Sequence, residues 1–583
     1  MPAQGRMTWR LLFLALVLTL STGVLVVRLV QLQYFEHGRY AEEAYREHYA
    51  ERDTYALRGP ILDREGHPLA TSVEAWDVYV NRLVWEDDEA GAAEAARQLG
   101  GLLSTDPTIL MSEVLADRNG EVLTGEAIDY NLGLRIRDQK LAGVRLEPSS
   151  QRVYPEGSIA SSVLGFLGRD RLGLTGIEQS FDEVLAGKKG RTIYEQDSLG
   201  NQIALGAVEV QSPEAGGSVV LTIDRGVQRA AERALDNAIA HYQALGGSII
   251  VMDPHSGEIL ALTSRPSVDN TQLDFGQGSN IVDLSRLRAV TDLYEPGSPF
   301  KLITMAAALD AGVLAPDTTY YDSGYYEYSD FTIENWDGSA NGTQTMTEVL
   351  QRSLNTGAIF AAREAGKATF YDYLARFGFN DTTGIDLPGE AAGRYRLPGD
   401  PAWSQLDLAT NSFGQGINVT PLEMINAIAA IANGGELMRP YIVKEVHGPD
   451  GVVKTAPKVI RRVVSEETSE TLRDMMVEVV NGLNGQTASI PGYQIAGKTG
   501  TSSIYNELIE GYDDQRVIVS FVGIVPAENP RFVVLVKIDE PAGVAYGSTV
   551  AAPVFQQLAE QVVGLLNVQP DEGALVQSPE DAE

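Results

Sequence analysis

The sequence predicts an α+β chain in three parts: an N-terminal transmembrane helix, a β-rich elongated pedestal, and a larger unit whose antiparallel sheet is backed by helices and carries a helix-rich subdomain. Three observations predict it. An apolar run opens the chain, short strand-like segments and turn residues alternate through residues 73–215, and two strong strand pairs stand at opposite ends of residues 216–566 with helical patterning between them. At 583 residues the chain is long for one domain, and 44% hydrophobic with 21% charged residues suits packed cores.

Leu11 to Val27 is a run of 17 residues without a charge, apolar but for Thr19, Ser21 and Thr22, roughly 26 Å of helix, and Trp9, Leu29 and Val30 extend it toward the roughly 30 Å of a bilayer core. A cleaved signal peptide is the alternative, but the run is long for one and no A-x-A site follows it. Arg6 and Arg10 precede the span and Arg28 follows it, which favours a cytoplasmic N-terminus with the bulk of the chain outside. The expected divisions are 1–10 as the cytoplasmic end, 11–30 as the anchor, 31–215 as stalk and pedestal, 216–566 as the larger unit, and 567–583 as a tail. The tail holds five acids, no bases and two prolines, and is expected to be disordered.

After a polar, helix-permissive stalk comes LRGPILDREGHPLATS, residues 57–72, where Gly59, Pro60 and Gly66 mark turns between short strands. An Ala-rich helix follows near 88–102. The larger unit opens with Asp224 as N-cap of a helix over 225–240. The apolar runs of 246–266 then turn at Asp253, Pro254, Ser256 and Gly257. Residues 516–525 and 531–541 form a second strand pair, and an amphipathic helix over 550–566 closes the unit.

The charge balance is 45 basic against 79 acidic residues, a net of −34, so a polyphosphate would be repelled and nucleic acid is not an expected partner. There is no cysteine, which removes disulfides, thiolate catalysis and cysteine-held metals. The six histidines are scattered without a ligand pair. No metal and no cofactor is expected.

Ser298 and Lys301 lie three apart in TDLYEPGSPFK, a spacing that puts hydroxyl and amine on one helical face. A serine hydroxyl needs a neighbour to take its proton, and a lysine kept neutral by burial or nearby cations can do so. Roughly two such SxxK strings are expected by chance in a chain of this length, and only this one occurs. Ser353-Leu354-Asn355 and Lys498-Thr499-Gly500 follow it in the order SxxK, SxN, KTG; SxN is also spelled by Ser339-Ala340-Asn341 and KTG occurs once, and together the three ordered motifs point to acyl transfer. Ser298 would attack a carbonyl, Lys301 accept its proton, and Ser353 relay that proton to the leaving amine. Asn355 offers an amide to a substrate peptide, and Lys498 offers charge to a carboxylate. Gly500 lets a strand edge come close, and the N–H groups of Ser298 and Thr501 form an oxyanion hole. A competing reading is the phosphate-cradling P-loop, since Gly492, Gly497, Lys498 and Thr499 fit G-x-x-x-x-G-K-[ST]; the polar TGTSSIYNE that follows is a poor helix start.

These segments resemble the class B penicillin-binding proteins, monofunctional D,D-transpeptidases of peptidoglycan synthesis, over residues 9–566. YEPGSPFK resembles YxPGSxxK, SLNTG the SxN segment and AGKTGTS the third motif; RGPILDREGHPLA resembles the arginine–glycine motif of the family's noncatalytic, dimerisation-type pedestal. FGQGINVTPLE and DLPGE are also similar to family segments. The resemblance implies Ser298 as the acylated nucleophile and Lys301 as the base. It implies Ser353 and Asn355 as the second motif, with Lys498, Thr499, Gly500 and Thr501 at the substrate edge. It implies stem peptides ending in D-Ala-D-Ala as donors, β-lactams as inhibitors, and a membrane glycan polymerase with division or elongation proteins as partners. YEPGS, the short pedestal and FVGIVPAENPRFVVLVKIDEP are closer to division than to elongation enzymes. Ser502 and Ser503 depart from the Ala and Gln of many relatives. An elongation transpeptidase, a D,D-carboxypeptidase or β-lactamase-like hydrolase, and a noncatalytic scaffold or penicillin sensor are the other readings.

Overall fold

The apolar run does form one helix, Gln4–Val30, whose Leu, Val and Phe side chains stand exposed along its length, and it is long and apolar enough to cross a membrane. This computed structural model describes residues 4–571 except 119, 197–202, 204–205, 207, 274–278, 483–484, 507–510 and 544. By packing, the chain divides into two units, one of residues 1–57, 74–151 and 187–215, the other of 58–73, 152–186 and 216–583. The division therefore differs from a single cut at 215/216. Two segments on the pedestal side of that cut pack with the larger unit, because their apolar residues Ile61, Leu69, Val163 and Ile177 belong to its core.

In the first unit a π-helical turn, Gln31–Phe35, and the helix His37–His48 continue the anchor. The strand Tyr49–Thr54 pairs with Gly190–Glu195, which pairs in turn with Val208–Gln211. The Ala-rich helix runs Glu89–Leu103, starting where the Asp88 carboxylate accepts from the Gly91 N–H at 3.0 Å. Its alanines and Leu99 pack with Trp85, Val78 and Val80 into a separate small core.

In the second unit five strands form one antiparallel sheet in the order Ile259–Arg265, Gly246–Met252, Phe532–Asp539, Gly511–Val525, Ala496–Asn506. The two strand pairs read from opposite ends of the chain thus meet in the middle, with Leu535 opposite Ile250. Alternation divides their side chains: Ile249, Val251, Val534 and Val536 pack on the helices Arg225–Tyr242 and Ala551–Leu565, while Ile250, Met252, Val533 and Leu535 face the helical subdomain. In that subdomain every residue of Pro421–Ala432 is buried, and Thr420 with Glu423 closes its first turn as a capping box.

The tail expectation needs correction at its start. Val568 is buried, Tyr493 Oη donates to its carbonyl at 2.9 Å, and Asp571 N–H donates to Gly492 O at 3.0 Å, so 567–571 are packed onto the sheet unit. An apolar valine outweighs the acidic composition around it. Residues 572–583 lie outside the described residues.

Candidate active site

Ser298 opens a 3₁₀ turn, Ser298–Phe300, and Lys301 begins the helix Lys301–Asp310. In a 3₁₀ turn residues three apart eclipse, so the two side chains share a face as the spacing predicts. The turn is set by Gly297, at φ 62°, whose N–H donates to Gly414 O at 3.1 Å. A side chain at Gly414 would come within 2.2 Å of Gly297 O. Two glycines at positive φ therefore fix the approach to the serine.

Ser353 ends the helix Met346–Arg352 in the left-handed region, φ 58°, and Asn355 starts the next helix, Asn355–Ala365. Lys498, Thr499, Gly500 and Thr501 lie in the edge strand Ala496–Asn506. The P-loop reading fails here, because Lys498 is the third residue of a strand that runs on to Asn506 paired with Gly511–Val525, where a P-loop would open a helix. Gly500 is where that strand approaches the turn that carries Ser298: a Cβ there would meet Ser520 Oγ at 2.3 Å and Pro299 Cδ at 2.8 Å.

The three motifs meet at Ser353 Oγ. It donates to Ser298 Oγ at 2.9 Å, and Lys498 Nζ donates to it at 3.0 Å. Lys301 Nζ donates to Ser353 O at 2.6 Å and to Asn355 Oδ1 at 2.8 Å, and lies 3.3 Å from Ser353 Oγ. Among the described residues the hydrogen-bonded route from Ser298 to Lys301 runs through Ser353. Both lysines are 1% exposed. Burial, reinforced by Lys498, holds the Lys301 amine well below its ordinary pKa, and burial pushes Lys498 down to about 7. A neutral amine one hydroxyl away from a serine can draw off its proton during attack on a carbonyl.

The serine opens into a cleft of about 990 Å³ that Ser353, Asn355, Thr499 and Thr501 also line. Sequence reasoning missed its aromatic rim, Trp336 and Tyr546, whose rings meet edge to face with centroids 6.0 Å apart. Nothing local in IENWDGSANG marks Trp336 as a cleft residue. Gln415, also lining the cleft, lies in the FGQG segment that carries part of the family resemblance. Among the described residues no cluster of three or more His, Asp or Glu side chains forms a metal site.

Residues 247–560 match the family model described as penicillin binding protein transpeptidase domain, and residues 53–221 the one described as penicillin-binding protein dimerisation domain. The chain is 36% identical to stage V sporulation protein D of Bacillus subtilis over 521 residues, covering 88% of this chain and 79% of that protein. It is 30% identical to peptidoglycan D,D-transpeptidase FtsI of Escherichia coli K12 over 575 residues, covering 97% and 93%. The crystal structure of penicillin binding protein 3 of Mycobacterium tuberculosis complexed with aztreonam superposes with a TM-score of 0.68 at 29% identity, over 90% of this chain and all of that one.

Proposed function

Because the chain belongs to the class B penicillin-binding proteins, we propose that it is a serine D,D-transpeptidase that crosslinks peptidoglycan stem peptides and is acylated by β-lactams at the same serine. The observation that carries this reading is the meeting of Ser298, Lys301 and Lys498 at Ser353 Oγ. Ser298 Oγ attacks the carbonyl of the penultimate D-alanine and its proton passes by way of Ser353 toward Lys301. The C–N bond to the terminal D-alanine breaks, and that amine leaves with the relayed proton. An amine of a second stem peptide then attacks the ester, forms the crosslinking amide, and returns a proton to Ser298. Asn355 holds Lys301 and faces the cleft, Lys498 supplies charge for the donor's carboxylate, and Thr499, Gly500 and Thr501 form the edge along which the peptide lies. One backbone donor to the developing oxyanion, from Ser298 or Thr501, is worth about 10² to 10³ in rate.

The chain is membrane-anchored through Gln4–Val30; we place its N-terminus in the cytoplasm and the catalytic unit, 216–566, outside, with 31–215 as the noncatalytic pedestal. The arginines flanking the span support that orientation. The septal features of its motifs favour a division role beside a membrane glycan polymerase and other division proteins. The test is labelling by a fluorescent penicillin together with a crosslinking assay on lipid-linked polymer. Labelling and crosslinking by the wild type, both abolished in Ser298→Ala, are expected. Undiminished labelling of the variant would overturn the nucleophile, and release of D-alanine without crosslinks would make the protein a hydrolase. A fluorescent fusion at midcell supports the division role, and one along the sidewall overturns it.

A further inference from the structure

Asp322 is completely buried, and among the described residues no lysine, arginine or histidine pairs with it. Its charge is met by neutral donors instead. Asn335 Nδ2 donates to both oxygens at 3.0 Å, and Gly324 N–H donates at 3.0 Å. Asn341 donates from its N–H at 3.0 Å and from Nδ2 at 2.8 Å, and Thr356 Oγ1 donates at 2.7 Å. A buried carboxylate satisfied in this way holds its donors at fixed positions, because removing any one leaves charge unmet.

The donor that matters is Asn335, itself 3% exposed. With its amide nitrogen committed to Asp322, its Oδ1 accepts from the Asn355 N–H at 2.9 Å and from the Thr356 N–H at 3.2 Å. Those are orphan donors of the first turn of Asn355–Ala365, whose N-cap position is Leu354, a residue with no side-chain acceptor. Asn335 therefore performs from a remote segment the capping that SxN, with a leucine at its centre, cannot perform for itself.

Its two neighbours grip the same motif. Glu334 O accepts from Asn355 Nδ2 at 2.9 Å, which leaves Asn355 Oδ1 facing Lys301 Nζ at 2.8 Å. Trp336 Nε1 donates to Arg352 O at 3.0 Å, one residue before Ser353. Residues 334–336 thus bracket Ser353 on both sides and set which end of the Asn355 amide meets the lysine.

We propose that Asp322 and Asn335 are positioning residues of the acylation step, acting through Asn355 to hold Lys301 and Ser353 in register with Ser298. The inference rests on the transpeptidase reading. Its test measures the acylation rate constant and the dissociation constant of the preceding complex separately, by stopped-flow with a reporter penicillin. The full-length protein is used with Asn335→Ala, Asp322→Asn, Asn355→Ala and the Asn335→Ala/Asn355→Ala double variant. Misplacement of about an ångström costs on the order of 10²-fold in rate, so each of the first two variants is expected to acylate ten- to a hundredfold slower, with the dissociation constant within about threefold of wild type. The double variant is expected to lose less than the two single losses combined, since part of what Asn335 positions is the Asn355 side chain. Asp322→Asn keeps the shape of the site and is read by the same constants if Asn335→Ala does not fold. Acylation within threefold of wild type in the folded variants, a loss confined to the dissociation constant, or additive losses in the double variant would overturn the proposal. Wild-type labelling at Ser298 tests the transpeptidase reading independently of these ratios.

Discussion

Lys301 and Lys498 converge on one oxygen, their Nζ atoms standing 3.3 and 3.0 Å from Ser353 Oγ. Two buried amines around one oxygen cannot both carry charge cheaply, since their repulsion is little screened there. The arrangement divides their roles: burial and the neighbouring Lys498 both hold the Lys301 amine well below its ordinary pKa and favour its neutral form.

Acylation efficiency should therefore fall on the alkaline side as Lys498, pushed down to about 7, loses its proton. The ratio of acylation rate constant to dissociation constant reports the free enzyme. For a penicillin bearing a carboxylate, that ratio is expected to decline above about pH 7. In Lys498→Arg, whose guanidinium stays charged, the alkaline decline should disappear whatever the overall rate. A flat wild-type profile from about pH 6 to 9 would contradict the anion-binding role of Lys498.

The same amines give a stability prediction. Each has a folded pKa below its unfolded value of 10.5, so the unfolded chain binds more protons between the two values and stability rises with pH there. For Lys498 the window runs from about 7 to about 10.5. Thermal melting across that window should show a smaller upward slope for Lys498→Met than for wild type. Equal slopes would mean that the buried amine does not change protonation on folding.

Gly500→Ala should damage the site more than the fold. The added carbon would come within 2.3 Å of Ser520 Oγ and 2.8 Å of Pro299 Cδ. The serine side chain can turn away, but the proline ring next to Ser298 cannot, so the edge strand must move off the Ser298 turn. A loss on the order of 10²-fold in acylation follows from that misplacement, with a melting temperature within a few degrees of wild type. Penicillin acylation at the wild-type rate would show that the strand edge tolerates the displacement.

Much of this was legible in the sequence because it depends on local chemistry. The strand pairs are written in alternating apolar runs, their turns in Asp253-Pro254 and Gly257, and the turn that carries Ser298 in Pro296-Gly297. Ser298, Ser353 and Lys498 were readable because their order as motifs is informative even though each string is common. What could not be read depends on meetings at a distance. Asn335 caps a helix 20 residues away, and Arg58 closes onto Glu178 across 120. The acidic composition of the tail concealed one valine with a place in the core. The indirect link from Ser298 to Lys301 is set by the left-handed backbone at Ser353, which no spacing rule reveals.

Val568 gives that last packing a number. It is 8% exposed and lies in the cluster that covers the outer face of the sheet. Val568→Asp would bury a carboxylate without a partner, at a cost of a few kcal/mol. A melting temperature lowered by several degrees is expected, with penicillin acylation at 25 °C unchanged because the cleft is formed by other segments. An unshifted melting temperature would return residues 567–571 to the status of a free tail.

Glu178 offers the sharpest test of what the arginine–glycine segment does. Its carboxylate is fully buried and accepts from Arg58 Nε at 2.5 Å and from Arg152 Nε at 2.7 Å, while its carbonyl accepts from Arg58 Nη2 at 2.8 Å. Arg58 also reaches Asp182 at 2.7 Å, and Arg152 Nη1 holds Gly59 O at 2.8 Å. The segment 58–73 is thereby tied to the segment 152–186 by charge in a dry site. Removing one partner of such a cluster strands the others: Glu178→Ala should cost about 3 to 5 kcal/mol, because two guanidinium groups lose their shared counter-charge. Replacing the cluster together, as Arg58→Met with Arg152→Met and Glu178→Leu, should cost less than the single change, since the only charge then left is Asp182, which is partly exposed and keeps the Gly173 N–H. Thermal or denaturant unfolding of the three proteins decides it, and a triple variant less stable than Glu178→Ala would show that the hydrogen bonds to the Gly59 and Glu178 carbonyls, not the charge balance, hold this segment in place.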